Sequence, residues 1–326
     1  MRKKINIEIY NKRIHYNLEF KRSITLILGD SGTGKTTLVN MLESYIENNK
    51  LSGIHFKSNI DIDDIRVLKS RDENSIYSSK DSNKLYFADE FVSFVRSKRF
   101  MKFLKETGSY LVYFSRSDRT GFMQYSVDEI YELKSERHND YCLTKMYNFY
   151  VDNNDTVKPD IIITEDKESG FSIISHIFNN VDTADGKDNV VNKIKYYKER
   201  GYKNIYIVVD GAAFGNQIQA VFSYSSDCNI SVFAKESFEY LILGYSYFSK
   251  FLSTELSETY NFAESSIYFT WETYYTDLLK LLCKNYYNCK YYKVSWEKLN
   301  GIFKSEKFLH YIRSQFSDID SSLEIL

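Results

Sequence analysis

Long apolar runs, paired cysteines, clustered histidines and an appreciable net charge are all missing from this 326-residue sequence. No run approaches the roughly 18 apolar residues of a membrane span. Met1-Arg2-Lys3-Lys4 leads into an alternating strand rather than a signal-peptide core, so the expectation is a cytoplasmic protein with no membrane partner. Cys142, Cys228, Cys283 and Cys289 contain no C-x-x-C pair, which points to reduced, structural thiols. Histidines at 15, 55, 138, 176 and 310 are scattered, which leaves little basis for a zinc site or a histidine-based nucleophile. Any metal is therefore expected to be magnesium held by oxygen. A formal net charge of −1 exerts no global pull on nucleic acid. The one basic stretch, Arg96, Lys98, Arg99, Lys102 and Lys105, reads as the solvated face of a helix.

What the sequence does have is 43% hydrophobic and 17% aromatic content, enough for packed cores in two domains. Its organising stretch is Gly29-Asp30-Ser31-Gly32-Thr33-Gly34-Lys35-Thr36, followed by Thr37. It fits G-x-x-x-x-G-K-[ST] at every defined position and follows the apolar run 24–28. Three glycines let the backbone wrap an anion, a helix opening near Lys35 adds its positive end, and the lysine reaches the outer phosphates. Thr36 would ligate Mg²⁺. A bare strand-to-helix turn would need neither the lysine nor the threonine. Upstream, residues 5–10 and 14–20 alternate apolar and polar as a hairpin.

Residues 50–82 turn polar and read as a short strand and a mobile loop. Leu85-Tyr86-Phe87-Ala88-Asp89-Glu90 is then a buried strand ending in two acids, the Walker B pattern. Asp89 is assigned to the metal and Glu90 to a polarised water; the alternative is a strand followed by acids at a helix start. Residues 91–107 carry helical spacing. The strand 110–114 ends in Ser115-Arg116-Ser117-Asp118-Arg119, where Ser115 or Arg116 would sit beside the terminal phosphate. Residues 130–133 and 141–147 read as a closing hairpin, and 151–159, which holds the only proline, as the domain boundary. These motifs and the preceding hairpin resemble the ATP-binding-cassette-like ATPases, including the OLD (overcoming lysogenization defect) nucleases. The resemblance implies an ASCE-type P-loop ATPase with ATP and Mg²⁺ as cofactors and Lys35 and Glu90 as catalytic groups. The Leu-Ser-Gly-Gly-Gln signature is absent before Asp89, which counts against that family's two-site dimer.

After Pro159 the pattern restarts. Strands ending in Glu165 and Asp210, with helices between them and a fourth strand at 230–233, make four alternating β/α units. This order resembles a TOPRIM domain. The resemblance implies metal ligands at Glu165 and Asp210, with Ala212 standing where a second aspartate belongs and Glu236 or Glu239 as replacements. A Rossmann-like domain whose strand-end acids only cap helices is the alternative. Residues 240–326 read as helical, and tyrosines at 274, 275, 286, 287, 291 and 292 offer base-stacking surface or, more simply, core. The expected fold class is α/β: a P-loop NTPase domain (1–150), a TOPRIM-like, Rossmann-like domain (159–244) and a helical C-terminal region (245–326). The expected activity is ATP hydrolysis controlling the second domain, in mobile-element or phage-defence biology. The alternatives are a nucleotide-switched interaction protein with an inactive second domain and an active ATP-regulated nuclease. Nucleic acid, a protein partner and a homo-oligomer are left open.

Overall fold

Alternation of isoleucines with polar residues makes β1 (Ile5–Tyr10), which pairs antiparallel with β2 (His15–Phe20) and buries Ile5, Ile7 and Ile9 on one face. The computed structural model describes residues 4–79, 81–117, 120–137, 139–147, 156–252, 254–263, 270–287, 291, 298, 301–323 and 325. The chain is an α/β protein that divides into two compact units, Met1–Tyr147 with Glu258–Phe269 and Asn148–Ser257 with Thr270–Leu326. The stretch 245–326 is thus shared between the units. The boundary residues 151–155 lie outside the described residues.

In unit 1 the all-apolar β3 (Ile24–Leu28) leads through the glycine loop into α1 (Lys35–Asn48), which buries Leu38, Met41 and Leu42. β4 (His55–Ser58) adds to the edge at β1, and β5 (Ile65–Val67) lies at the opposite edge. The short α2 (Glu73–Ser78) precedes β6 (Leu85–Ala88). α3 (Lys98–Thr107) precedes β7 (Tyr110–Ser115), and β8 (Ile130–Arg137) and β9 (Asp140–Lys145) form the expected hairpin. Among the described residues these strands form one mixed sheet in the order β4-β1-β2-β9-β8-β3-β7-β6-β5. Its β8-β3-β7-β6-β5 half contains only parallel pairs, and the runs Ile24–Leu28 and Leu85–Ala88 are buried throughout, as a sheet covered on both faces requires.

Two expectations need correction here. Residues 50–82 do not form a mobile loop around one short strand; they hold two strands, helical turns and α2. Their ties are hydrogen bonds and ion pairs between polar groups, such as Lys84 to Asp64 at 2.7 Å and Lys69 to Glu43 at 3.0 Å, which a hydropathy pattern does not register. The helix expected over 91–107 begins at Lys98. Ser97 caps it by accepting the Phe100 amide at 3.1 Å, and residues 93–96 form a separate 3-10 turn. Phe91 is consequently 74% exposed. The basic side chains Lys98, Arg99, Lys102 and Lys105 are exposed, as a solvated face requires.

Unit 2 is built on β10 (Ile161–Thr164), β11 (Val181–Thr183), β12 (Asn204–Val208) and β13 (Asn229–Phe233), parallel throughout in the order β11-β10-β12-β13. The intervening helices are α4 (Ser169–Ile177), α5 (Val190–Lys198) and α6 (Ile218–Phe222). After β13 come α7 (Phe238–Gly244), α8 (Ser246–Ser249), α9 (Trp271–Leu282) and α10 (Glu306–Ser314). The C-terminal stretch returns to the sheet. Val157 and Ile319 form a parallel bridge, and the Tyr206 hydroxyl sits 2.9 Å from each Asp318 carboxylate oxygen.

Tyr274, Tyr275 and Tyr291 are buried, so the base-stacking reading of these three is corrected to core. Each ring gains more from burial and neighbouring rings than solvent offers it, as with Tyr275 against Tyr240 at 5.0 Å. Tyr292 and the side chains of Tyr286 and Tyr287 lie outside the described residues. Among the described residues, Cys142, Cys228 and Cys283 are not joined in disulfides; Cys289 and His138 lie outside the described residues. Among the described residues, no helix is long and apolar enough to cross a membrane.

Candidate functional site

The loop after β3 turns on Gly29, Gly32 and Gly34 at φ of 150°, 88° and 92°, a region L side chains rarely adopt. The Lys35 ammonium folds back into the loop, donating to the carbonyls of Gly29 and Asp30 (2.9 Å for the latter) and to Thr33 Oγ1 at 2.8 Å. Burial lowers the Lys35 pKa. The Glu90 carboxylate pulls it back up, Arg116 pushes it down and Asp30 raises it. The first hydrogen bond of α1 runs from Leu38 N–H to Gly34 C=O at 3.0 Å, so the amides of Lys35, Thr36 and Thr37 open the helix with no acceptor inside it.

A cavity of about 550 Å³ lies against this loop. Residues 30–37 line it together with Asp89, Glu90, Ser115, Arg116 and Tyr141; Gly29 is fixed beneath by Lys35. The topology explains the meeting. β7 lies between β3 and β6, so the ends of β3 and β6 stand two strand spacings apart, roughly 10 Å, leaving room for a ligand's anionic end and a water. Asp89 Oδ1 accepts the Phe91 amide at 3.0 Å. Glu90 is held by Arg116, whose Nε lies 3.1 Å from Oε1 and whose backbone N–H lies 3.2 Å from Oε2. The two residues expected beside a terminal phosphate therefore differ. The Ser115 hydroxyl donates to the Ser117 carbonyl at 2.6 Å, whereas Arg116 faces Glu90. Asp118 and Arg119 lie outside the described residues.

Two tyrosines that sequence reasoning missed complete the loop's support. The Tyr16 hydroxyl donates to the Gly34 carbonyl at 2.9 Å, and Tyr141 stacks on Tyr16 with ring centres 5.1 Å apart. A Cβ at position 34 would lie 3.1 Å from that hydroxyl and 3.2 Å from the Tyr141 ring. Burial raises the Tyr16 pKa well above its ordinary value, so it remains a hydrogen-bond donor. Tyr16 faces Tyr141 across the parallel β2–β9 pair. The only sequence signal was the alternation of Tyr16, Leu18 and Phe20, which marks a buried face but not its partner.

In unit 2, Glu165 and Asp210 follow the adjacent strands β10 and β12, at the carboxyl edge of the sheet. Glu165 Oε2 accepts the Asp210 amide at 3.0 Å, and Asp210 Oδ1 accepts the Phe238 amide at 2.9 Å. Burial pushes the Glu165 carboxyl up to about 7. The Asp210 amide and Lys187 oppose the rise, and Glu272 and Asp166 add to it. Asp166 itself takes the Gly170 and Phe171 amides, each at 3.0 Å, where α4 begins. Ala212 is buried, its amide bonded to the Glu236 carbonyl at 2.9 Å. Glu236 is also buried, and Glu239, 0% exposed, accepts the Tyr291 hydroxyl at 2.8 Å. Among the described residues, no three His, Cys, Asp or Glu side chains gather as a metal-ligand group.

Comparison with protein-family models, with curated proteins and with solved structures gave no match.

Proposed function

We propose that unit 1 binds ATP with Mg²⁺ at the loop of residues 29–36 and hydrolyses it. The observation carrying this reading is the Lys35 ammonium, held by loop oxygens beside a cavity that Asp89, Glu90 and Arg116 also line. A triphosphate would take over the lysine's donors and the open amides at the start of α1. Thr36 and Asp89 line the same cavity and are the hard oxygen donors that Mg²⁺ takes, so they would hold the ion; once bound, it would offset charge on the outer phosphates. Glu90 would orient and polarise water. The intervening strand β7 supports the ASCE-type assignment, because it sets Glu90 at a distance from the loop that accommodates a water. Calorimetric titration with ATP and Mg²⁺, paired with a phosphate-release assay, tests the reading; absence of both signals would overturn it.

Unit 2 is proposed as a TOPRIM-like output whose state follows the nucleotide. Its four-stranded parallel sheet, with Glu165 and Asp210 at adjacent strand ends, supports that assignment. The second reading, a nucleotide-switched interaction protein with an inactive unit 2, is favoured by Ala212 and by the backbone amides that occupy Glu165 and Asp210. Incubating the full chain with ATP, Mg²⁺ or Mn²⁺, and single-stranded DNA, double-stranded DNA or RNA separates the two. Cutting that vanishes in Asp210→Ala establishes the nuclease, and no cutting favours the interaction protein.

A further inference from the structure

We infer that Arg116 is shared between two partners, Glu90 and the terminal phosphate of a bound triphosphate, so that Glu90 is held until the ligand claims the guanidinium. This rests on the ATP-binding reading of unit 1 and adds a control on the same site. Arg116 engages both Glu90 oxygens, Oε1 through its side-chain Nε at 3.1 Å and Oε2 through its backbone N–H at 3.2 Å. The side-chain contact is the one that can be exchanged. The Arg116 side chain is 58% exposed against 29% for Glu90, so its guanidinium sits on the accessible side of the pair and can turn without unpacking the core.

A terminal phosphate offers the guanidinium more charge and more acceptor oxygens than a carboxylate, in a geometry its planar fork matches. The three charges already act on one another: after burial, Glu90 and Arg116 are the next influences on the Lys35 ammonium. When the guanidinium leaves, Oε1 is released while the Arg116 amide still aims the carboxylate through Oε2. A diphosphate lacks the group that competes, so it leaves the pair closed. Ser115 cannot take this part, because its hydroxyl is committed to the Ser117 carbonyl.

The test is a double-mutant cycle on the full chain, by calorimetric titration with a non-hydrolysable ATP analogue and with ADP, each with Mg²⁺. Glu90→Gln is expected to bind the analogue about two- to fivefold more tightly, the scale of a partly exposed ion pair. The same change made on top of Arg116→Ala leaves affinity unmoved. Arg116→Ala alone weakens the analogue about tenfold and ADP less than about twofold, and Arg116→Lys restores part of the loss. Equal tightening by Glu90→Gln with and without Arg116 would mark a general charge effect and overturn the exchange while ATP binding stands. No analogue binding by the wild type overturns the ATP reading and the exchange together. If Arg116→Ala does not fold, Arg116→Gln, which also lacks the charge, completes the same cycle.

Discussion

Both units place acids at the carboxyl edge of parallel strands, Asp89 and Glu90 after β6 in unit 1 and Glu165 and Asp210 after the adjacent β10 and β12 in unit 2, yet the surroundings of the two edges differ. At the unit 1 edge a lysine, an arginine and two acids surround a cavity, and the loop beside it keeps a helix start open. At the unit 2 edge, as in unit 1, a backbone amide meets one oxygen of each carboxylate, but here burial raises Glu165 to about 7. A carboxyl enclosed near other acids tends to keep its proton, as Glu165 does. The carboxyl edge therefore borders a cavity lined by charges of both signs in one unit and holds a buried glutamate beside other acids in the other.

The sharpest challenge to that contrast is Glu90→Gln. Phosphate release should slow by about 1,000-fold, within the range of positioned acid–base groups. A wild-type rate would remove Glu90 from the chemistry. Next comes Lys35→Ala, which on the proposed reading should weaken ATP about 100-fold in a calorimetric titration, since it deletes the ammonium held in the loop. Unit 2 has an internal reporter for the complementary tests, since both tryptophans, Trp271 and Trp296, fall within Thr270–Leu326. Gly211→Ala should lower the stability seen in tryptophan fluorescence by about 3 kcal/mol, because the new Cβ would collide with the backbone carbonyls of Ala234 and Lys235. An unchanged denaturation midpoint would show that this turn can yield.

The smallest effect is one of pH. Because the folded-state pKa of Glu165 lies above its ordinary value of 4.5, between there and about 7 the native chain keeps a proton that the unfolded chain has lost. The Glu165 contribution to stability is complete below that window and falls as pH rises through it, by roughly 3 kcal/mol at most. Glu165→Gln should flatten this part of the fluorescence-monitored stability profile. The same slope in the variant would assign it to other groups.

What could be read from the sequence was whatever local chemistry dictates. The run of β3, its glycines and the helix after them declare themselves within about twenty-five residues, as do the strands of unit 2. Asp89 and Glu90 were legible as a strand end, and the structure places both at the cavity. What stayed hidden depends on distant partners. Tyr16 and Tyr141 meet only through a parallel pairing of segments far apart in sequence, and the Arg116–Glu90 pair requires β7 beside β6. Residues 91–107 misled because their apolar spacing continues across Ser97, where a single hydroxyl restarts the helix.

The bridge between Val157 and Ile319 also imposes an order in time. Val157 meets its partner only after about 160 further residues exist, so in a chain made from its amino end this closing contact of unit 2 is among the last to form. The strands of the unit 1 sheet are all contained in the first 145 residues. During synthesis the cavity of unit 1, lined by residues between Ile14 and Tyr141, can therefore take shape while the other unit is still unfinished.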